Sequence, residues 1–259
     1  MHNLPQDVGR RRSGLPRLLR QAQDSPLTAC GEHAFVEVVE GNAVIPQLQF
    51  DARLHRYTVD GRCVPSVTQA LEGAGYIDLK CIPEDVLRRA ALRGTRVHQA
   101  AALLMRSELE WSSVDVAIAG YVLALDLFMR QTKFQPDVAS VEKPLYCAEY
   151  DYCGTPDVAG LYTVPRLYGT PLKARVLVDW KSGMMTAARY QLAAYAHVMG
   201  VRHRAAVKLN KESTYSVTWY KAETQRNDFE VFLRALDLFR DPRRERQIND
   251  SMDMEKTYG

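Results

Sequence analysis

The chain has 259 residues, 46% apolar and 25% charged, with a formal net charge of +3. That suits one large domain, or one domain with an appendage, of ordinary globular composition. No apolar run approaches the ~18 residues of a membrane span. The Arg-rich start lacks the apolar stretch of a secretory signal, so the expected setting is cytoplasmic. A mitochondrial presequence stays open, although its Ser/Leu amphipathic pattern is missing. Residues 1 to 20 hold five Arg against the single acid Asp7, which accounts for the whole positive balance. The remaining body is close to neutral, so any polyanion must be held by a local groove and not by a broad positive field. The cysteines are Cys30, Cys63, Cys81, Cys147 and Cys153. Their odd number and the lack of Cys-x-x-Cys spacing point to reduced thiols.

In chain order, residues 1–30 form a basic, weakly structured arm around Arg10-Arg11-Arg12-Ser13-Gly14, either a solvated tail or a contact for phosphate. Alternation over 34–45 suggests a strand. Tyr57 to Thr68 reads as a hairpin turning at Asp60-Gly61, and Ser66 is placed to cap a helix running through Leu71. Residues 84–106 are helical after Pro83, with Glu84 and Asp85 at the favourable end of the dipole. Gly94 is expected to break or kink this segment, leaving His98 on the first turns of a second helix. Residues 113–132 give an amphipathic helix with Val116, Tyr121, Leu125 and Phe128 in the core. The stretch 66–132 is thus a helical block. Next come a strand over 138–150 with Glu142 and one over 152–162 with Asp157, joined as a hairpin at Glu149-Tyr150-Asp151. A loop over 163–174 precedes the strand 175–180. The helix carrying Gln191 stops at Gly200. Residues 205–209 and 215–220 form a hairpin, a last helix spans 224–240, and the end is a polar tail over 246–259. Residues 31–245 are expected to be one domain, with 138–240 as its core. No internal repeat is present.

The chemistry gathers at Val176-Leu177-Val178-Asp179-Trp180-Lys181-Ser182-Gly183, an apolar strand that ends in a charged pair. Side chains two apart on a strand share a face, so Asp179 and Lys181 point the same way. Alone, the pair is either a solvent-facing strand end or a metal ligand beside a group that handles water or phosphate. Upstream, Gly154-Thr155-Pro156-Asp157 offers a second acid from another strand. Together Asp157 and Asp179 can grip one divalent cation, with the Trp180 carbonyl as a further ligand. Lys181 can orient water, stabilise charge on phosphate, or act as a base if its pKa is depressed. Gln191 and Tyr195, four apart, share a helical face and can reach Lys181 or a phosphate oxygen. Arg93, Thr95 and Arg96 flank His98 and can clasp a terminal phosphate.

In their order, His98, Glu142, Gly154 to Asp157, Asp179 to Lys181, and Gln191 with Tyr195 resemble the PD-(D/E)xK nuclease superfamily in its RecB-like branch. The resemblance covers roughly residues 55 to 240. The stretch Tyr57-Thr58-Val59-Asp60-Gly61-Arg62-Cys63-Val64-Pro65-Ser66-Val67-Thr68 is similar to one in phage exonucleases and the mitochondrial genome maintenance exonuclease. The resemblance implies an α/β fold: a restriction-endonuclease-like core of mixed β-sheet flanked by helices, plus an N-terminal helical lobe walling a DNA channel. It implies a metal-dependent DNA exonuclease acting on single-stranded or end-exposed DNA in recombination, repair or phage DNA processing. The setting would be a bacterial or phage-infected cell. Mg²⁺ or Mn²⁺ would be held by His98, Asp157, Asp179 and the Trp180 carbonyl, the imidazole favouring Mn²⁺. Glu142 would support a second ion or a water, or be a plain surface residue. No cysteine follows Cys153, so the iron–sulfur cluster of some members is not expected. No Gly-x-x-x-x-Gly-Lys-Ser/Thr occurs, so unwinding needs a partner. A recombinase or a single-strand annealing or binding protein would be a fitting partner. A structure-selective or sequence-specific endonuclease on the same core, or a catalytically idle nucleic-acid-binding module, are the alternatives.

Overall fold

Three short antiparallel strands open the described chain: β1 (Leu48–Asp51), β2 (Arg56–Val59) and β3 (Arg62–Val64). Asp60 and Gly61 have φ of 50° and 78°, as a two-residue type I′ hairpin requires, so the turn lies where the sequence puts it. The computed structural model describes residues 46–51, 54, 56–77, 82–164, 172–183 and 185–241. The basic arm, the expected strand over 34–45 and the polar tail lie outside those residues.

Ser66 caps α1 (Val67–Gly73) with a complete capping box. The Gln69 N–H donates to Ser66 Oγ at 3.1 Å, and the Ser66 N–H donates to Gln69 Oε1 at 2.9 Å. Next, α2 (Glu84–Met105) is one uninterrupted helix. The break expected at Gly94 is absent, and His98 sits roughly four turns inside it. A glycine costs a helix interior about 1 kcal/mol. Burial of Val97, Ala100, Ala101 and Met105 from the same helix offsets that. In α3 (Val116–Thr132), capped by Asp115, Tyr121, Leu125 and Phe128 are buried as expected, but Val116 is 90% exposed. It follows the cap directly and its turn projects beyond the core. Gly120 has a packing reason, since a Cβ there would overlap the Lys211 carbonyl oxygen.

The remaining elements are β4 (Gln135–Pro136), β5 (Leu145–Cys147), β6 (Tyr152–Gly154), β7 (Val158–Val164), β8 (Leu172–Lys181), α4 (Ala188–Met199), β9 (His203–Leu209), β10 (Tyr215–Tyr220) and α5 (Gln225–Arg240). The long hairpin expected over 138–162 does not form. Only β5 and β6 pair there, and Glu142 lies in a turn with φ of 51°. Asp157 lies at a bend just before β7. That strand pairs instead with β8, Val158 opposite Val178, and the expected loop over 163–174 shrinks as both strands extend into it.

The five-stranded sheet has the order β10-β9-β8-β7-β4. It is mixed, because β8 and β9 are parallel and the rest antiparallel. A parallel pair needs a crossover, and α4 supplies it. Alternation along β8 sends Val176, Val178 and Trp180 into one core with α2 and α3, while Leu177 enters the other with α1, α4 and α5. The fold is therefore a mixed α/β sandwich of helices around a sheet. The stretch 66–132 is not one separate lobe, since α1 and the α2–α3 pair pack into opposite cores. A backbone bond from the Cys153 N–H to the Pro65 carbonyl helps tie α1 to its side. No described helix is long and apolar enough to cross a membrane.

Candidate active site

The site forms where β8 ends and β7 begins. Trp180 is fully buried, with its ring among Phe128 and Phe134 at centroid distances of 5.4 and 6.3 Å. That anchors the backbone of β8. The Trp180 N–H then donates to Asp157 Oδ2 at 2.6 Å, fixing the acid at the bend. In extended backbone the N–H and C=O of one residue face the same neighbour. The Trp180 carbonyl thus faces the side on which Asp157 lies.

From α2, His98 Nδ1 lies 3.1 Å from Asp157 Oδ1 and 3.5 Å from Glu142 Oε1. The left-handed conformation of Glu142 is costly for an ordinary residue, about 1–3 kcal/mol, and persists where neighbours impose it. Three contacts impose it here. The Glu142 N–H donates to the Asp157 carbonyl at 2.9 Å, and Arg106 Nη2 donates to the Val141 carbonyl at 3.0 Å. Ser140 Oγ accepts from the Ala159 N–H at 2.9 Å. Arg106 and Ser140 were not identifiable from sequence, because they act through backbone groups and carry no spacing signal.

On the other face of β8's end, Lys181 Nζ donates to Asp179 Oδ1 at 3.0 Å and to Gln191 Oε1 at 2.9 Å. Gln191 Nε2 donates onward to the Tyr195 hydroxyl at 3.4 Å. The expected same-face pairs, Asp179 with Lys181 and Gln191 with Tyr195, are thus present. Gly154 belongs to this arrangement, since a Cβ there would overlap the Tyr195 ring.

The buried charges act on one another. Burial disfavours the His98 cation, but Asp157 and Glu142 outweigh it and push its pKa up to about 10. Burial works against the Asp157 carboxylate, yet His98, Lys181 and the Trp180 N–H hold its pKa below the usual range. Burial raises Asp179 to about 6 despite Lys181 beside it. Burial opposes the Lys181 ammonium, and Asp179 and Asp157 more than compensate, so its proton is held more tightly than usual. Burial also raises Glu142.

The donor set suits a hard divalent cation. One His98 nitrogen and one oxygen each from Glu142 and Asp157 lie within 4.8 Å of one another. Adjacent ligands at ~2.1 Å around an octahedral ion stand about 3 Å apart, close to the 3.1 and 3.5 Å seen. Asp179, the other acid expected at a metal, is not part of this close group, and Glu142 is. Asp179 Oδ2 is buried and lies 3.0 Å from Lys181 Nζ, but it accepts no well-formed hydrogen bond and keeps lone pairs for a cation.

The nominated phosphate clasp does not assemble. Arg96 is paired with Asp115 at 2.8 Å, two residues and about 200° around the helix from His98. Thr95 Oγ1 donates to the Ala91 carbonyl at 3.1 Å within its own helix. The Arg93 guanidinium sits over the Tyr121 ring, 5.8 Å from its centroid. Compared with known proteins, the chain matches no family model and no curated protein.

Proposed function

We propose that the chain is a metal-dependent deoxyribonuclease of the PD-(D/E)xK type, in its RecB-like branch, that degrades single-stranded or end-exposed DNA from an end. The observation that carries this reading is the junction at the end of β8. There Asp157 bonds to the Trp180 N–H while Asp179, Lys181 and Gln191 form one hydrogen-bonded chain. His98, Glu142 and Asp157, with the Trp180 carbonyl, would hold Mg²⁺ or Mn²⁺, and Asp179 Oδ2 offers a further oxygen. Bound there, such an ion neutralises phosphate charge and lowers the pKa of water. Lys181, kept protonated by Asp179 and Asp157, is suited to stabilise charge building on the phosphate and not to act as a base. Gln191 holds the ammonium in place, and Tyr195 holds Gln191.

The near-neutral net charge of residues 21–259 supports a need for an end, because it offers no general positive field to hold DNA sideways. Linear single strands labelled at either end should be cut to short products with Mg²⁺ or Mn²⁺. Closed circles of the same sequence should resist, and blunt duplexes should be slower. Rapid nicking of the circle would favour the endonuclease alternative.

His98 gives a second expectation. Its nitrogen must lose a proton to bind metal. With its pKa near 10, that proton is present at pH 7 to 8. Mn²⁺ binding should therefore release about one proton, and affinity should rise by up to about tenfold per pH unit over that range. Titration calorimetry in buffers of different ionisation enthalpy reads this directly. His98→Ala should weaken binding and abolish the release. Unchanged Mn²⁺ affinity in that variant would make His98 structural.

A further inference from the structure

A nuclease site needs a cation for the strand that runs past the metal, and the arginines nominated for it are engaged elsewhere. The sheet itself offers another. β9 runs parallel to β8 with Lys208 in register beside Lys181. Parallel neighbours in register lie about 4.8 Å apart and present their side chains on one face. The burial alternation of β9 agrees: Val207 and Leu209 enter the α2–α3 core, and Lys208 between them is exposed. On the next strand Ser216 pairs with Lys208 across β10 and is exposed too, with Thr218 exposed two residues on. Among the described residues, the side chains of Lys208 and Ser216 make no ion pair or hydrogen bond with protein. Among the described strand residues on this face, the only carboxylate is Asp179. The result is an open ledge of one ammonium and two hydroxyls, continuous with Lys181 and crossing two strands.

We propose that Lys208, with Ser216 beside it, forms a phosphate-binding subsite for the backbone of a single nucleic-acid strand leaving the metal site. The proposal rests on the nuclease reading of that site. Lys208 supplies a point charge to a non-bridging phosphate oxygen, and the hydroxyls add donors that are indifferent to base sequence. Lys181, already bound to Asp179 and Gln191, stays with the reacting phosphate.

The test measures binding of a fluorescein-labelled oligothymidylate by anisotropy, in EDTA so that nothing is cut, across a salt series. Lys208→Ala should weaken binding several-fold and lower the slope of log K against log salt by about 0.7, one single-strand phosphate contact. Lys208→Arg should restore the slope. Ser216→Ala should weaken binding slightly and leave the slope alone. Lys133→Gln, at the C-terminal cap of α3 on the opposite side of the sheet, should change neither. A wild-type slope in Lys208→Ala overturns the subsite. Wild-type binding with the expected slopes, but no cleavage when Mn²⁺ is added, supports the subsite and sinks the nuclease reading. Failure of the wild type to bind the strand overturns both.

Discussion

On the proposed nuclease reading, replacing Asp157 or Asp179 should lower DNA cleavage by roughly three orders of magnitude or more, because each would supply charge where the phosphate is attacked. The two variants should differ in how they fail. Asp157 also accepts the buried Trp180 N–H. An alanine there orphans a donor at a cost of about 1–3 kcal/mol. Asp157→Asn keeps an acceptor and the shape, and so separates lost chemistry from lost folding. Asp179→Asn leaves a neutral oxygen near Lys181 and should cost rate with little loss of stability. Lys181→Ala should lose the chemical step while keeping Mn²⁺ affinity. Initial rates on an end-labelled strand, with Mn²⁺ calorimetry on the same preparations, check all of these. Cleavage near wild type in Asp179→Asn would remove the β8 junction from the active site.

The largest effect on stability is expected at Asp228, on α5 and away from the candidate site. Its side chain is 3% exposed. It accepts from Arg189 Nη2 at 2.6 Å, Arg204 Nη2 at 3.0 Å and Thr224 Oγ1 at 2.9 Å. The Arg204 side chain is wholly buried and also donates to the Arg189 carbonyl at 2.9 Å. Arg189, nearly half exposed, can turn to water when the acid is lost. Arg204 cannot. Asp228→Ala should cost about 3–5 kcal/mol, the usual penalty for stranding a buried charge. Typical domains have about 5–15 kcal/mol in all, so the variant should be close to unfolded. Urea denaturation measures it. Pairing Asp228→Leu with Arg204→Met should recover much of the loss, since the stranded charge leaves with its partner. A loss under about 1 kcal/mol in Asp228→Ala would mean that water reaches Arg204.

This network shows where the sequence stops being informative. Asp228, Arg189 and Arg204 sit on α5, α4 and β9. Nothing in their spacing marks them as partners, because separate elements bring them together. Glu142 is a similar case. It was expected on a strand over 138–150, but its backbone is set by Arg106 and Asp157 from outside that segment and by Ser140 reaching across to Ala159. Gly94 shows the reverse error. Helix propensity predicts a break, and tertiary burial along α2 overrides it.

What the sequence determined by itself is everything ruled by short-range geometry. Asp60-Gly61 must turn, because both residues tolerate positive φ. Ser66 with Gln69 must cap, because their groups meet within one turn. Gly200, at φ of 61°, ends α4 as expected. Asp179 faces with Lys181, and Gln191 with Tyr195, because periods of two and 3.6 residues put them there. Only the tertiary structure decided which acids meet which imidazole. His98, Glu142 and Asp157 come from a helix, a strained turn and a bend. Their convergence depends on how α2 packs against the sheet and how β7 registers with β8. Such packing is set by summed burial over the whole core and leaves no local period to read. The parallel register of β8 with β9 placed Lys208 beside Lys181, a neighbour 27 positions away that no motif spacing could have supplied.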